Sequence, residues 1–222
     1  TLLLFTLMLM KDIGAVTENQ IRTHDGNLLI TQAKSSQINA IENWSEKNNS
    51  QINQLKPYTK AQLVKVNDLT LTDFSGKPSD SLATLEKPIR LSWSGSIPSN
   101  NSVNQGQWWG ENDTNFQQIS VESEVMTDVG LSIGDRLVFQ IGRETIEFTI
   151  VASHDFKSGF GSITFWFQVP ASIVEKVNCI QWSSLSSNEG EHYVLNPTGD
   201  DVNVFSQTLP KRSISRFVFT IE

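Results

Sequence analysis

Three histidines, His24, His154 and His192, are the side chains of this sequence best suited to moving a proton near neutral pH. They lie far apart, and none has a ligand spacing such as H-E-x-x-H. His154-Asp155 is the one suggestive pair, because a carboxylate can orient an imidazole for general-base work. A triad also needs a hydroxyl against that ring, and by proximity in sequence the choices are Ser153 and Ser158. Ser153 is a poor one, since successive residues of a strand point to opposite faces. Hydrogen bonding at a strand end is the simpler role for His154. Glu122 and Glu124 are a paired-carboxylate candidate, but two-residue spacing at a helix start separates their faces, and complementing the helix dipole suits them better. Cys179 lies beside Val177 and Ile180, where burial raises a thiol's pKa and leaves it inert. The chain carries no G-x-S-x-G elbow, no G-x-x-x-x-G-K-[ST] loop and no G-x-G-x-x-G after a strand. Gly159-Phe160-Gly161 precedes a strand instead of a helix and reads as a flexible bend. These residues point to no catalytic group, no cofactor and no metal site.

Trp108-Trp109 is the remaining feature with binding potential. Two adjacent indoles in a turn-rich segment do not both bury in the same direction. One can anchor the arm while the other faces a partner or a lipid-like ligand; the rival reading is that both plug the same domain over a bend. Composition narrows the classes further. Lys and Arg number 17 against 24 Asp and Glu, a net charge of -7, which argues against nucleic-acid binding because phosphate contacts need a basic face. Six Trp and twelve Phe in 222 residues supply enough apolar surface for a core. The single cysteine excludes an internal disulfide framework.

The elements that would position these residues fall into three regions. Residues 1–10 are nearly all apolar and stop at Lys11-Asp12, too short to span a bilayer, and read as the truncated end of a transmembrane helix. Residues 27–33 read as a strand, Ser35 or Ser36 as the cap of a helix with Ile38, Ile41 and Trp44 on one face, and residues 58–66 as a second strand, a β-α-β unit with a parallel crossover. Residues 73–85 read as a surface excursion and 88–93 as an edge strand opened by Pro88. In the second region, 119–121 is a short strand, Val125, Met126 and Val129 mark a short helix, and Gly130 and Gly134-Asp135 end it and turn the chain. Residues 136–141 and 144–151 alternate in phase around Gly142-Arg143, a hairpin. The third region opens with an apolar strand at 163–169 stopped by Pro170, with Trp166 read as part of a strand buried on both faces. A short helix around Ile173, Val174 and Val177 and a loop at 183–190 follow. Then come a strand at 192–195, a helix opened by Asp200-Asp201 with Val202, Phe205 and Leu209 facing in, and a strand at 213–221.

Gly106-Gln107-Trp108-Trp109, Ile119-Ser120-Val121-Glu122 and the run Val129-Gly130-Leu131-Ser132-Ile133-Gly134-Asp135-Arg136-Leu137-Val138-Phe139 resemble, in that order, the periplasmic domain of FtsX/MacB-type ABC transporter permeases. The Arg90-Leu91-Ser92-Trp93 strand, the Phe165-Trp166-Phe167 strand ending at Pro170 and the apolar start agree with this. Within that superfamily the chain is most similar to YbbP-like permeases. The resemblance implies an α+β fold, a porter-like part of two β-α-β units with an inserted smaller β-rich (Sabre-like) subdomain. Residues 1–12 would end a transmembrane helix, 13–94 and 156–222 would form the porter-like part, and 95–155 the insert, with Gly95, Gly159 and Gly161 as hinges near the crossings. It further implies a noncatalytic domain on the periplasmic face of the bacterial inner membrane. That domain would couple ATP hydrolysis by a separate cytoplasmic ATPase to periplasmic motion, acting on lipids, lipoproteins or hydrophobic compounds, and YbbP-like members are associated with a lipase-type thioesterase partner. The rival expectations are a secreted hydrolase using His154 and a stand-alone binding module.

Overall fold

The computed structural model describes residues 28–47, 49–111, 113–156, 163–177, 180–187 and 203–206. Strand β1 (Leu28–Lys34) leads through a 3-10 turn (Ser35–Gln37) into helix α1 (Ile38–Lys47). Ser35 therefore lies inside the lead-in, and Gln37 folds back instead, its Oε1 accepting from the Lys34 N–H at 2.8 Å. Ile41 is buried and packs with Ile30 and Ala33, while Ile38 sits half-buried beside them. Apolar residues three apart on one helical face cover the strand they pack on.

Strand β2 (Gln51–Val66) has 16 residues and starts well before the 58–66 that its sequence pattern suggests. It and β1 are parallel only at one remove, because β9 (Gln181–Ser187) lies between them, antiparallel to both. The expected β-α-β unit is therefore a split one. The expected loop at 183–190 is in its first part this central strand, and it buries Ser183 and Ser184, one on each face, each 1% exposed. Serines carry no hydrophobic signal, so the strand was invisible to periodicity. Where a helix was expected over residues 200–209, β10 (Asn203–Ser206) pairs antiparallel with β1. Here backbone pairing to an open edge overrides the apolar spacing. The expected strands at 192–195 and 213–221, and residues 1–12, lie outside the described residues.

Residues 73–85, expected as a surface excursion, are largely helical and reach the core. Helix α2 (Leu71–Ser75) is capped by Thr70, helix α3 (Asp80–Leu85) by Ser79, and Leu71, Leu82 and Leu85 enter the main core. Pairs of Ser/Thr caps with following leucines carry that signal, which the Gly and Pro between them hide. Strand β3 (Ile89–Ser94) is interior as well, paired with β2 on one side and in parallel with β8 (Phe167–Pro170) on the other. Pro88 precedes the ladder, so its missing donor costs nothing there. The apolar run at 163–169 enters the sheet only at Phe167, and Trp166 is half-buried before it. Residues Ala171–Lys176 form a 3-10 helix that buries Ile173 and leaves Val174 43% exposed.

Strand β4 (Asn101–Gly106), β5 (Gln118–Glu122), helix α4 (Ser123–Val129), β6 (Arg136–Ile141) and β7 (Glu144–Phe156) complete the described fold. The hairpin forms as expected, with Leu137 opposite Phe148 and Phe139 opposite Ile146. Gly142 has φ +59 at the first position of its two-residue turn, a conformation that needs glycine. The strands then return on themselves. β2 pairs with β3, β3 with β8, β8 with β5, β5 with β7, β7 with β6, and β6 again with β2. This closed six-stranded barrel is filled by one residue from each strand in turn, Leu63, Leu91, Phe167, Val121, Phe148 and Phe139, none more than 3% exposed. Closure hides ladder edges and lets alternate residues fill the interior. The fold is mixed α+β, dominated by one large sheet. Among the described residues the barrel draws strands both from 13–94 and 156–222 and from 95–155, and one hydrophobic cluster runs through all of them. A boundary between a porter-like part and a Sabre-like insert is not shown.

Phe139 sits at the barrel's centre, edge-on to Phe148 at 5.9 Å and to Phe167 at 5.4 Å. Phe139→Ala is expected to cost about 3–5 kcal/mol, read as a lower urea midpoint with an unchanged slope.

Candidate functional site

Parity along the strands decides which polar residues meet. On β7, Ser153 shares the inward face that pairs with Val121, and His154 points the other way, opposite Glu122. Ser153 therefore cannot serve His154, as strand alternation requires. Ser120 can. It pairs with Ala152 on the same outer face, one step diagonal to His154, and its Oγ lies 2.8 Å from Nδ1. The other ring nitrogen, Nε2, lies 3.2 Å from the Phe165 carbonyl oxygen. A carbonyl only accepts, so Nε2 carries the proton, Nδ1 is the acceptor, and the Ser120 hydroxyl donates to it. Burial drives the imidazole's pKa down to about 4, against smaller upward pulls from the Phe165 carbonyl and the Asp155 charge. The ring is neutral at physiological pH.

This is a serine–histidine pair with the hydrogen-bond direction of an activated nucleophile. Its surroundings are not those of a reaction centre. Ser120 and His154 are both fully buried, and a backbone carbonyl takes the place of an orienting carboxylate. Trp108 stands edge-on to the imidazole at 6.0 Å and Phe156 at 5.5 Å, sealing it. Asp155 is the neighbour in sequence, but it acts on the ring only as a charge.

Of the two readings of Trp108 and Trp109, one indole facing a partner or both plugging the domain over a bend, the arrangement is the second: both are inside, 8% and 6% exposed. Their rings stack at 4.3 Å with 32° between planes. The Trp109 Nε1 donates to the Ser94 carbonyl at 2.7 Å, whereas the buried Trp108 Nε1 has no acceptor among the described residues. The reason both bury lies two residues earlier. Gly106 has φ +73, and a Cβ on it would stand 2.1 Å from the carbonyl oxygen of Val151. Val151 is the extra residue of a bulge against β5, and its carbonyl accepts from the Gln107 N–H at 3.1 Å. The tight approach folds the arm over β7 and carries both indoles under it. The Gly-x-Trp element is thus a clasp over the Ser120–His154 pair.

The second motif serves the same body. Glu122 caps α4, its Oε2 accepting from the Val125 N–H at 2.9 Å, so dipole and cap explain it without catalysis. Gly130 ends the helix at φ +83, with its own N–H and that of Leu131 both bonded to the Met126 carbonyl. Asp135 accepts from the Ser132 N–H and from Asn67 Nδ2, each at 2.8 Å, and its carbonyl accepts from Ile150. That aspartate ties the turn before β6 to the end of β2 at the point of barrel closure. Of the candidate hinges, Gly95 has no positive φ, and a Cβ there would make an ordinary 3.4 Å contact with the Glu111 backbone. Its backbone does not demand glycine. Gly159, Gly161 and Cys179 lie outside the described residues.

Among the described residues no group of three His, Cys, Asp or Glu side chains is placed to hold a metal ion, and no helix is long and apolar enough to cross a membrane. The buried pair gives two expectations. Ser120→Ala leaves Nδ1 without a donor and costs about 1–3 kcal/mol in denaturant unfolding. Because the unfolded chain protonates His154 more readily than the folded one, stability is full above about pH 6.5 and declines as pH falls toward 4, by roughly 3 kcal/mol. His154→Gln should flatten that segment of the pH–stability curve.

No protein-family model matches the chain, and neither does any curated protein sequence. In three dimensions it is similar to a crystal structure of a domain of a protein assigned as a permease from Porphyromonas gingivalis, 10% identical, with a TM-score of 0.38 over 73% of this chain and 76% of that one.

Proposed function

We propose that this chain is an extracytoplasmic domain of an FtsX/MacB-type ABC transporter permease of the YbbP-like kind. In this reading it is a noncatalytic coupler on the periplasmic face of the bacterial inner membrane. Cytoplasmic ATP hydrolysis, by a separate ATPase subunit, moves it through the membrane helices of the full-length permease, and it handles a lipid, a lipoprotein, a hydrophobic compound or a thioesterase-like partner outside.

The observation that carries the reading is the joint role of the motif residues that suggested it. Gly106, Trp108, Trp109, Glu122, Gly130 and Asp135 are spread along the sequence, yet each fixes a junction of one barrel: clasp, cap, helix end or closing turn. A part that transmits displacement has to move as a body, and a closed, fully packed barrel resists shear better than an open sheet. The sealed Ser120–His154 pair supports the same reading over the hydrolase, which needs a route for substrate to the serine.

The test uses the full-length protein. Val174 is exposed, so Val174→Cys in a Cys179→Ser background reports sidedness to a membrane-impermeant maleimide in intact spheroplasts. Labelling before lysis, together with an ABC-type ATPase co-purifying in detergent, is the expected result. Labelling only after lysis overturns the reading, and so does ester or peptide hydrolysis by the domain that His154→Gln abolishes.

A further inference from the structure

Barrel closure leaves one gap. On one edge, β7 pairs with β6 from Glu144 to Thr149, but on the other edge its pairing with β5 begins only at Thr149 opposite Gln118. Among the described residues, the stretch from Glu144 to Phe148 therefore has a strand on one side alone. The direction of its free groups is fixed by two bonds. The Thr149 N–H donates to the Gln117 carbonyl at 2.8 Å, and the Gln117 carboxamide donates to the Glu147 carbonyl at 3.3 Å. Alternation then aims the N–H of Glu147 and both backbone groups of Thr145 at the same open side. Gln117 occupies the slot of a strand residue with its side chain. Asn115 and Asp113 accept from the N–H groups two residues on, which carries the chain away from the edge before β5 starts.

Beside this edge lies a groove of about 460 Å³, lined by Phe116, Gln117, the strand residues 144–147, Glu175 and Lys176. Glu144, Glu147 and Glu175 bring three carboxylates to it, of which Glu147 is shared with Arg136 at 3.6 Å. The Lys176 amine is drawn over the Phe116 ring at 5.6 Å, so the aromatic face already accepts a cation from within the chain.

We propose that this edge and groove dock an extended, basic segment of a partner protein by strand addition. Its backbone would continue the β5 ladder along Thr145 and Glu147, and its lysines or arginines would meet the glutamates of the groove. Charge decides against a second copy of this chain as occupant: the molecule carries -7 overall and the rim itself is acidic, so two copies repel there. An unpaired edge otherwise invites aggregation, and acidic flanks keep like chains off it while admitting a cationic one. The proposal is independent of the transport role.

The probe is a pair of alternating peptides of about ten residues, Thr-Lys and Thr-Glu, matching a common strand length. With the wild-type domain, the Thr-Lys peptide is expected to bind in fluorescence polarisation, to shift the amide resonances of Thr145 and Glu147, and to weaken with added salt. Thr145→Pro removes the edge N–H and should lower affinity at least tenfold, while Thr145→Ser keeps it. The double charge reversal Glu144→Lys with Glu175→Lys, which leaves the backbone intact, should switch preference to the Thr-Glu peptide. Equal binding of both peptides, no binding of Thr-Lys, amide shifts elsewhere, or self-association through this edge would each overturn the proposal.

Discussion

Strand β2 changes partners along its length, and the rest of the fold depends on that change. Its first half pairs with β9 and its last five residues with β6, in a register that sets Leu63 opposite Phe139. The change of partner joins segments far apart in the chain. Without it, the run from β2 through β3, β8, β5 and β7 to β6 would be one open sheet, with its apolar face uncovered and an exposed edge at β6. With it, six strands close, and the phenylalanines of β6, β7 and β8 meet at one centre. Asn67 and Asp135 hold the junction from outside: Asn67 accepts from the Arg136 N–H through Oδ1 and donates to Asp135 through Nδ2. Arg136 adds ion pairs to Asp68 and Glu147, but these side chains are exposed and contribute little beside the packing.

Closure also sorts the polar residues. In a barrel strand every second side chain faces out, and on β5 and β7 that outer face would carry Ser120, Ala152 and His154 into solvent. The arm with Trp108 and Trp109 covers it instead. A neutral imidazole with one donor and one acceptor satisfied is cheap to bury, and a charged one is not. The same arrangement that stabilises the covered face at neutral pH therefore makes it the acid-sensitive part of the core. A buried hydroxyl–imidazole bond also fixes side-chain orientation across two strands, which suits a rigid body.

Local patterns were legible where the signal was local. The hairpin at 136–151, the helix with Val125, Met126 and Val129, the left-handed Gly130 and the place of Glu122 at a helix start follow from alternation, helical spacing and glycine chemistry within a few residues. Elsewhere a local pattern gave way. Ser183 and Ser184 look like a loop, yet they lie in a strand between two others, because small hydroxyls fit a crowded interface and backbone pairing asks nothing of polarity. The leucines of 71–85 looked incidental among Ser, Gly and Pro, although they are core residues.

Sequence alone determined the hairpin at 136–151, the short helix with Val125, Met126 and Val129, the facing of alternate residues along those strands, and that Ser153 was a poor partner for His154. It also determined the acidic balance that shapes the groove beside β7. Only the tertiary structure decided that Ser120 is the partner of His154, that both indoles turn inward, and that β7 runs on past its pairing with β5, unpaired on that side among the described residues. The physical reason is the same in each case. Periodicity constrains neighbours within a few residues, whereas register between strands distant in the chain is fixed by the summed packing of the whole core, which no single segment encodes.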